Sequence, residues 1–512
     1  MPAMETTTAP FRAAPAARSP WPALALLLLV LLAAQWRAAT ERSFWEDEAW
    51  TATVVALPLG QIPAATAADF HPPLYYLLLA VWARAFGLDE PGLRAFSILW
   101  ASAAALAVYA LGAGLISRRA GLIAAALFVC SPLTLAYAHN ARYYSMAAAL
   151  AAAAVLGCDQ YLRTGLRRYL ALYAVAGLAL LYTVYLGFTV LAVCAVWWLA
   201  RAWRSGGPRA LGPWLLAHGL IAAGFAPWLP VLLAQTGRGL APAVSGAGWV
   251  TGLALRAALV GFAFSAGESL SPLSPVTWVG LALTAVCLVA ALLPAARPRA
   301  WAPALLLAGV VALAALVSVS AGYPNSAPQA LARRIFFALP LFLVWVAAGA
   351  AALRPPRGAL AAAGLVAVGV VGGLNYFADR QLFQPFIAVP WRAIVGQVAA
   401  GAGPDDVVIC NRADTTCGFY VRRAGLTPHG PEEGAALARE RRAPVWWVQV
   451  HLAGDVYAQD AELRLLDALR AGASGAQEWQ FAPQDPGIRW LKRQLLGQND
   501  YAYRVTLVRL AP

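Results

Sequence analysis

The sequence predicts an α-helical polytopic membrane protein with a small soluble α/β domain at its C-terminal end. Three observations predict it. The 512-residue chain is 61% hydrophobic and only 12% charged, with a mean hydropathy of +0.63, a balance that belongs to membrane chains rather than soluble enzymes. Apolar runs long enough to cross a bilayer recur between residues 21 and 377. Beyond residue 377 the composition changes, and fourteen of the 24 acidic residues lie there.

Residues 1–20 are rich in Ala, Pro and Thr, carry Arg12 and Arg18, and read as a disordered cytoplasmic lead. The run 21–39 is the first membrane helix. A charged start and an apolar core also fit a cleaved signal peptide, but the long series of further spans favours a retained helix. Arginines then set the topology. Arg118-Arg119, Arg163 with Arg167-Arg168, Arg201 with Arg204 and Arg209, Arg297 with Arg299, and Arg354 with Arg357 recur at alternate loops. Placing those loops in the cytoplasm gives a self-consistent path. Helices are then expected near 21–39, 92–117, 120–137, 144–162, 168–184, 186–203, 212–233, 275–294, 301–320, 335–353 and 358–377, about eleven spans of bilayer length. The external loops are 40–91, 138–143, 234–274, 321–334 and everything after 378. The same rule explains the net charge of +14, in which Lys492 is the only lysine. It does not point to nucleic acid.

Within the loop 40–91, Pro72-Pro73 should break the backbone and launch a helix over 74–86. Thirteen apolar residues are short for a span and suit an interfacial or re-entrant helix. Residues 378–512 read as an extracytoplasmic α/β domain. Strands are expected at Asp406–Cys410, Val445–Val450 and Tyr501–Leu510, and a helix at Ala461–Arg470. Cys130, Cys158, Cys194 and Cys287 lie in apolar runs and read as small core residues. Cys410 and Cys417 can form a disulfide if the tail is outside the cytoplasm, which spacing alone does not establish.

The first 377 residues hold only ten Asp or Glu, and seven of them fall between positions 41 and 90. Carboxylates beside a membrane are costly unless solvated, paired or used. Asp47, flanked by Glu46 and Glu48, is the strongest catalytic candidate. A carboxylate at the outer face can take a proton from a hydroxyl nucleophile. A solvated, helix-initiating cluster explains the same residues, with Ser43 as cap and Glu46 three positions on. His71 reads as a phosphate contact or as a turn before a helix. Arg142 in His139-Asn140-Ala141-Arg142-Tyr143-Tyr144 can pair with a lipid phosphate or with a loop carboxylate, or sit in an interfacial aromatic belt. Arg333-Arg334 lies outside and breaks the positive-inside trend, which suits either a lipid-linked phosphate or headgroup anchoring. No nucleic-acid module, phosphate-cradling glycine loop, Ser-His-Asp order or complete metal site is evident.

Read in order, these blocks resemble a family. Asp47-Glu48-Ala49 after the first helix, His71-Pro72-Pro73-Leu74-Tyr75-Tyr76-Leu77-Leu78-Leu79, Phe86-Gly87, and Leu93-Arg94 with Ser97 are similar to membrane glycosyltransferases of the GT-C fold. Ser131-Pro132, Ala141-Arg142-Tyr143-Tyr144-Ser145-Met146 and Arg333-Arg334 leading into Phe337-Ala338-Leu339-Pro340 extend the match over residues 40–350. The group resembled is the bacterial relatives of protein O-mannosyltransferases and lipid A aminoarabinose transferases, glycosyltransferase family 39 and its neighbours. Each block alone is weak; the ordered set is specific.

The resemblance implies a polyprenyl-phosphate-linked sugar as donor, a glycan, lipid or protein acceptor, and an inverting transfer at the extracytoplasmic face of the inner or plasma membrane. Asp47 matches the family's catalytic aspartate and Glu48 its acidic neighbour. Arg142, Tyr143, Arg333 and Arg334 are the expected donor-binding residues, with His71 at a motif position that varies. Relatives differ in metal dependence, so no cofactor is assigned and a divalent metal stays open. A transporter or flippase of lipid-linked sugars is the alternative reading, with the acids as ion-coupling sites. Such a protein should keep its key ionisable groups near the bilayer midplane.

Overall fold

The computed structural model describes residues 19–205, 211–239, 247–293, 302–320, 330–380, 385–411, 416–451, 460–481 and 504–512, with Trp490 and Gln494. The expected lead over 1–18, most of the loop 321–334, and Tyr501 to Tyr503 lie outside the described residues.

The chain is mostly helical. The N-terminal part runs α1 (Trp21–Glu41), α2 (Glu46–Val55), α3 (Ile62–Ala68), α4 (Leu74–Phe86), α5 (Glu90–Leu115), α6 (Arg118–Cys130), α7 (Pro132–Tyr137), α8 (Tyr144–Thr164) and α9 (Arg167–Leu181). It continues through α10 (Phe188–Ser205), α11 (Leu211–Phe225), α12 (Leu229–Gly239), α13 (Ala247–Ala266), α14 (Pro275–Leu292), α15 (Ala302–Ser320), α16 (Ala330–Arg334), α17 (Leu339–Ala352) and α18 (Arg357–Phe377). Among the described residues, eight helical stretches are long and apolar enough to cross a membrane. Their outer faces carry large apolar side chains, such as Leu29, Val196, Trp278 and Leu360. So much exposed apolar surface is tolerable where lipid covers it and a liability in water. The chain is a multi-span membrane protein.

Lipid does not drive helices together as water does, so close packing of small residues must. The bundle is built that way. A Cβ on Gly349 of α17 would collide with the Cys287 carbonyl of α14, and one on Gly369 of α18 with the Cys130 carbonyl of α6.

Three differences from the sequence reading follow from local chemistry. The expected helix 120–137 is two helices, because Ser131-Pro132 stops α6 and starts α7 with Pro132 in its first turn. The spans expected near 168–184 and 335–353 appear as shorter helices: α9 has 15 residues and α17 has 14. The expected external loop 234–274 contains α13. Trp249–Ala266 has the length and apolarity of a span, and polar contacts tie it to its neighbours. Arg256 in its middle donates to Ser318 Oγ near the end of α15 (3.1 Å). Glu268, just past its last turn, accepts from Tyr137 at the end of α7 (2.5 Å).

The expectation at 74–86 holds: α4 begins directly after Pro73 and has 13 residues. α2 begins at Glu46, one residue after Trp45, so Ser43 is not its cap. Glu48 instead reaches back to the Trp45 N–H (3.5 Å).

After α18 the chain forms α19 (Trp391–Gly401), β1 (Val407–Cys410), α20 (Thr416–Arg423), β2 (Pro428–His429), α21 (Pro431–Arg441), β3 (Val445–His451), α22 (Asp460–Ala471), β4 (Gly475–Phe481) and β5 (Arg504–Ala511). The sheet order is β2-β1-β3-β5-β4. β1 is parallel to β2 and β3, whereas β5 is antiparallel to β3 and β4. β3 is central and buried over Val445–Val450. That is why its apolar run was readable. β4 is an exposed edge strand, and its Gly475-Ala476-Gln477-Glu478 start carries no such signal. Cys410 and Cys417 are joined as a disulfide that ties the end of β1 to α20.

Candidate active site at the loop-bearing end of the bundle

The first loop is clamped before it presents anything. Arg94, in the second turn of α5, is buried and uses its whole guanidinium fork. Nε and Nη2 donate to the two carboxylate oxygens of buried Glu48, at 2.8 and 2.5 Å. Nη1 donates to the carbonyls of Ala39 (3.0 Å) and Arg42 (2.7 Å), and Nη2 also to that of Ser43 (2.9 Å). Only a planar five-donor cation can satisfy that set. Glu48 Oε1 then accepts from the Ala141 N–H (2.7 Å). One carboxylate therefore joins α2, α5 and the loop before α8, and it has no oxygen left to serve a reacting group.

That clamp fixes the start of α2, and Asp47 projects from its first turn. Its carboxylate is one-third exposed and lies 3.8 Å from Arg142 Nη2. Thr51 Oγ1 donates to the Asp47 carbonyl at 2.8 Å, which holds the backbone and leaves the carboxylate available.

Arg142 closes the other side. It is nearly buried, and Nη1 lies 3.4 Å from both the Asp47 carbonyl and Thr51 Oγ1. Its guanidinium carbon is 5.6, 5.9 and 5.7 Å from the ring centres of Trp50, Tyr76 and Tyr143, an aromatic cage for a cation. Burial alone would lower its pKa, but nearby Tyr76 and Asp47 reverse that and raise it. Arg142 Nη2 also meets His71 Nε2 at 2.9 Å. Arginine has only donors, so His71 Nε2 accepts and the ring proton sits on Nδ1. Nδ1 donates in turn to the Asp69 carbonyl at 2.5 Å. Phe70 has φ +56, a left-handed backbone that costs an aromatic residue about 1–3 kcal/mol. That turn directs His71 back toward Arg142.

Arg333, at the end of α16, sits over the Trp45 ring at 5.0 Å. Burial works against its charge, while Tyr144, Asp47, Tyr137 and Glu268 favour it, and its pKa is raised. Arg334 follows it, and its charge is felt by Tyr143 and by Arg256. Of the residues chosen from sequence, the structure brings Asp47, Glu48, His71, Arg142, Tyr143 and Arg333 into one cluster, with Arg334 at its margin. Two buried polar atoms beside Asp47 have no hydrogen-bond partner: Arg142 Nε and Tyr76 Oη. Buried polar groups are rarely left so. Among the described residues, no three His, Cys, Asp or Glu side chains gather as a metal site.

Sequence reading missed two members. Arg94 was seen only as part of a motif, with no role. Glu268 was hidden in a stretch read as loop, although a lone acid amid apolar residues is itself a signal.

The crystal structure of ArnT from Cupriavidus metallidurans in the apo state superimposes with a TM-score of 0.59 at 12% identity. The match covers 96% of this chain and 98% of that one. The chain has the GT-C fold. ArnT from the same organism bound to undecaprenyl phosphate matches this GT-C chain equally broadly, with a TM-score of 0.57, 14% identity, and 96% and 98% coverage. Residues 70–230 of the GT-C chain match the family model described as dolichyl-phosphate-mannose-protein mannosyltransferase. That segment begins just before His71 and takes in Arg94 and Arg142. No curated protein sequence matches the chain.

Proposed function

We propose that the chain is a membrane glycosyltransferase. It moves a sugar from a polyprenyl-phosphate-linked donor to an acceptor hydroxyl at the extracytoplasmic face. The observation that carries this reading is the pairing of a partly exposed carboxylate, Asp47, with a buried, caged cation, Arg142, 3.8 Å away. A displacement at a sugar carbon needs both: a base for the incoming hydroxyl and a positive group for the outgoing phosphate.

In the proposed reaction the acceptor oxygen attacks the anomeric carbon and its proton passes to an Asp47 carboxylate oxygen. The bond from the anomeric carbon to the phosphate oxygen breaks, its electron pair leaves with polyprenyl phosphate, and the configuration inverts. Arg142 and Arg333 stabilise the charge on the leaving phosphate. Arg142 Nε and Tyr76 Oη, both without partners, are suited to its oxygens. Glu48, saturated by Arg94 and the Ala141 N–H, positions the loop rather than touching substrate. The bound undecaprenyl phosphate of the ArnT structure supports the donor class.

The test is sugar transfer from a radiolabelled polyprenyl-phosphate sugar by purified protein. Asp47→Asn should lower kcat about 10²–10⁴-fold while the variant still inserts and melts like the parent. Equal turnover by the two would remove Asp47 as the base. Movement of intact lipid-linked sugar across vesicles without bond cleavage would favour a transporter instead.

A further inference from the structure

We infer that the soluble domain positions the catalytic loop, through Tyr420, which bridges the backbone ahead of Asp47 to Glu90 at the head of α5. The inference rests on the transferase reading for its kinetic arm. The observation beneath it is independent of that reading.

Tyr420 lies on α20, is buried, and spends its hydroxyl in both directions. It donates to Glu90 Oε1 at 2.6 Å and accepts from the Phe44 N–H at 2.6 Å. Burial and the Glu90 carboxylate both hold the phenol protonated, so the donor role is secure. Phe44 stands three residues before Asp47. Its side chain packs edge-on against Phe419 at 5.7 Å, and on its other side the Arg94 guanidinium lies 5.2 Å from its ring centre. A second grip comes from the start of α19. The Arg392 N–H donates to Ser43 Oγ (3.0 Å), Nη2 donates to the Thr40 carbonyl (2.7 Å), and Nε lies 3.7 Å from Glu90.

The segment Thr40–Phe44 is therefore held from two sides. Arg94 of the membrane bundle takes the Arg42 and Ser43 carbonyls, while Tyr420 and Arg392 of the soluble domain take the Phe44 N–H, the Ser43 hydroxyl and the Thr40 carbonyl. The disulfide from Cys410 to Cys417 pins α20 to the sheet one turn before Tyr420. A base must sit within hydrogen-bond reach of its proton, so a looser Phe44 misplaces Asp47 without removing any group that binds the donor. Tyr420 is thus a positioning residue.

The experiment compares full-length parent, Tyr420→Phe and Glu90→Gln in detergent, with steady-state kinetics on a polyprenyl-phosphate sugar and amide hydrogen exchange on peptides covering 42–48. Tyr420→Phe should lower kcat about 10- to 100-fold, leave the donor KM within about twofold of the parent, and speed exchange in 42–48 while the sheet stays protected. Glu90→Gln keeps an acceptor for the hydroxyl but gives up the charge that faces Arg392, and should show a milder form of the Tyr420→Phe signature. Arg392→Ala, on an exposed side chain, should show a weaker form of the same signature, and it carries the test if Tyr420→Phe does not fold. Unchanged kcat and unchanged exchange overturn the inference. So does faster exchange throughout the chain with kcat and KM moving together, which is general destabilisation. If the parent transfers no sugar yet exchange at 42–48 responds locally to Tyr420→Phe, the transferase reading fails and the positioning contact stands.

Discussion

Arg94 and Glu48 form a two-point ion pair with side-chain exposures of 1% and 0%. That pair anchors the membrane-bundle side of the segment that presents Asp47, because the same guanidinium holds the carbonyls of Ala39, Arg42 and Ser43. Removing one partner strands the other as a buried charge, which typically costs about 3–5 kcal/mol. Arg94→Ala should therefore lower the thermal midpoint sharply in detergent. Arg94→Lys should recover little of it, since an ammonium cannot reproduce the fork. If Arg94→Lys melted like the parent, the clamp would not depend on guanidinium geometry.

Arg142 should separate charge from shape. Losing a donor that stabilises developing charge costs roughly 10²–10³ in kcat, so Arg142→Ala should fall in that range or below. Arg142→Lys keeps a cation but gives up the bond to His71 Nε2 and the fit between the three rings. It should rank between Ala and parent. Kinetics that place Lys level with the parent would reduce Arg142 to a point charge.

Much of this site was legible in the sequence, and the reasons are physical. A membrane segment makes each carboxylate conspicuous, so Asp47 and Glu48 stood out. The positive-inside trend made Arg333 visible by exception. What could not be read was direction. Asp47 and Glu48 are adjacent, yet on a helix they face different neighbours: one is partly exposed beside Arg142, the other sunk against Arg94. α13 falls inside the expected loop 234–274, and what ties it to the bundle, Arg256 to Ser318 and the adjoining Glu268 to Tyr137, joins residues distant in sequence. The link from Tyr420 to Phe44 spans 376 positions, and no local pattern announces it.

His139 gives the fold an acid-sensitive point. It is 1% exposed, with Nδ1 3.0 Å from Gln35 Oε1. Burial, then the charges of Arg94 and Arg42, hold its pKa well below 6.5. The unfolded chain therefore binds this proton at a pH where the folded one does not. The stability it contributes is full above about pH 6.5 and is lost as pH falls below that toward the folded value. Thermal midpoints between pH 7.5 and 5 should drop for the parent, and drop less for His139→Gln. Parallel curves would mean that His139 charges without penalty.

The extracytoplasmic side expected for the soluble domain is open to a direct test, and three observations motivate it. Asp47, Arg142 and Arg333 gather at one end of the bundle. The soluble domain binds that same end through Tyr420 and Arg392. The domain also holds a disulfide, and disulfides persist in oxidising compartments and are rare in reducing ones. An extracytoplasmic placement satisfies all three. Ser474 is an exposed residue just ahead of β4, and the other four cysteines are unpaired and buried or half-buried. Ser474→Cys should therefore react with a membrane-impermeant maleimide added to intact cells, at a rate unchanged by lysis. Labelling that appears only after lysis would put the domain, and the candidate site it grips, on the cytoplasmic side.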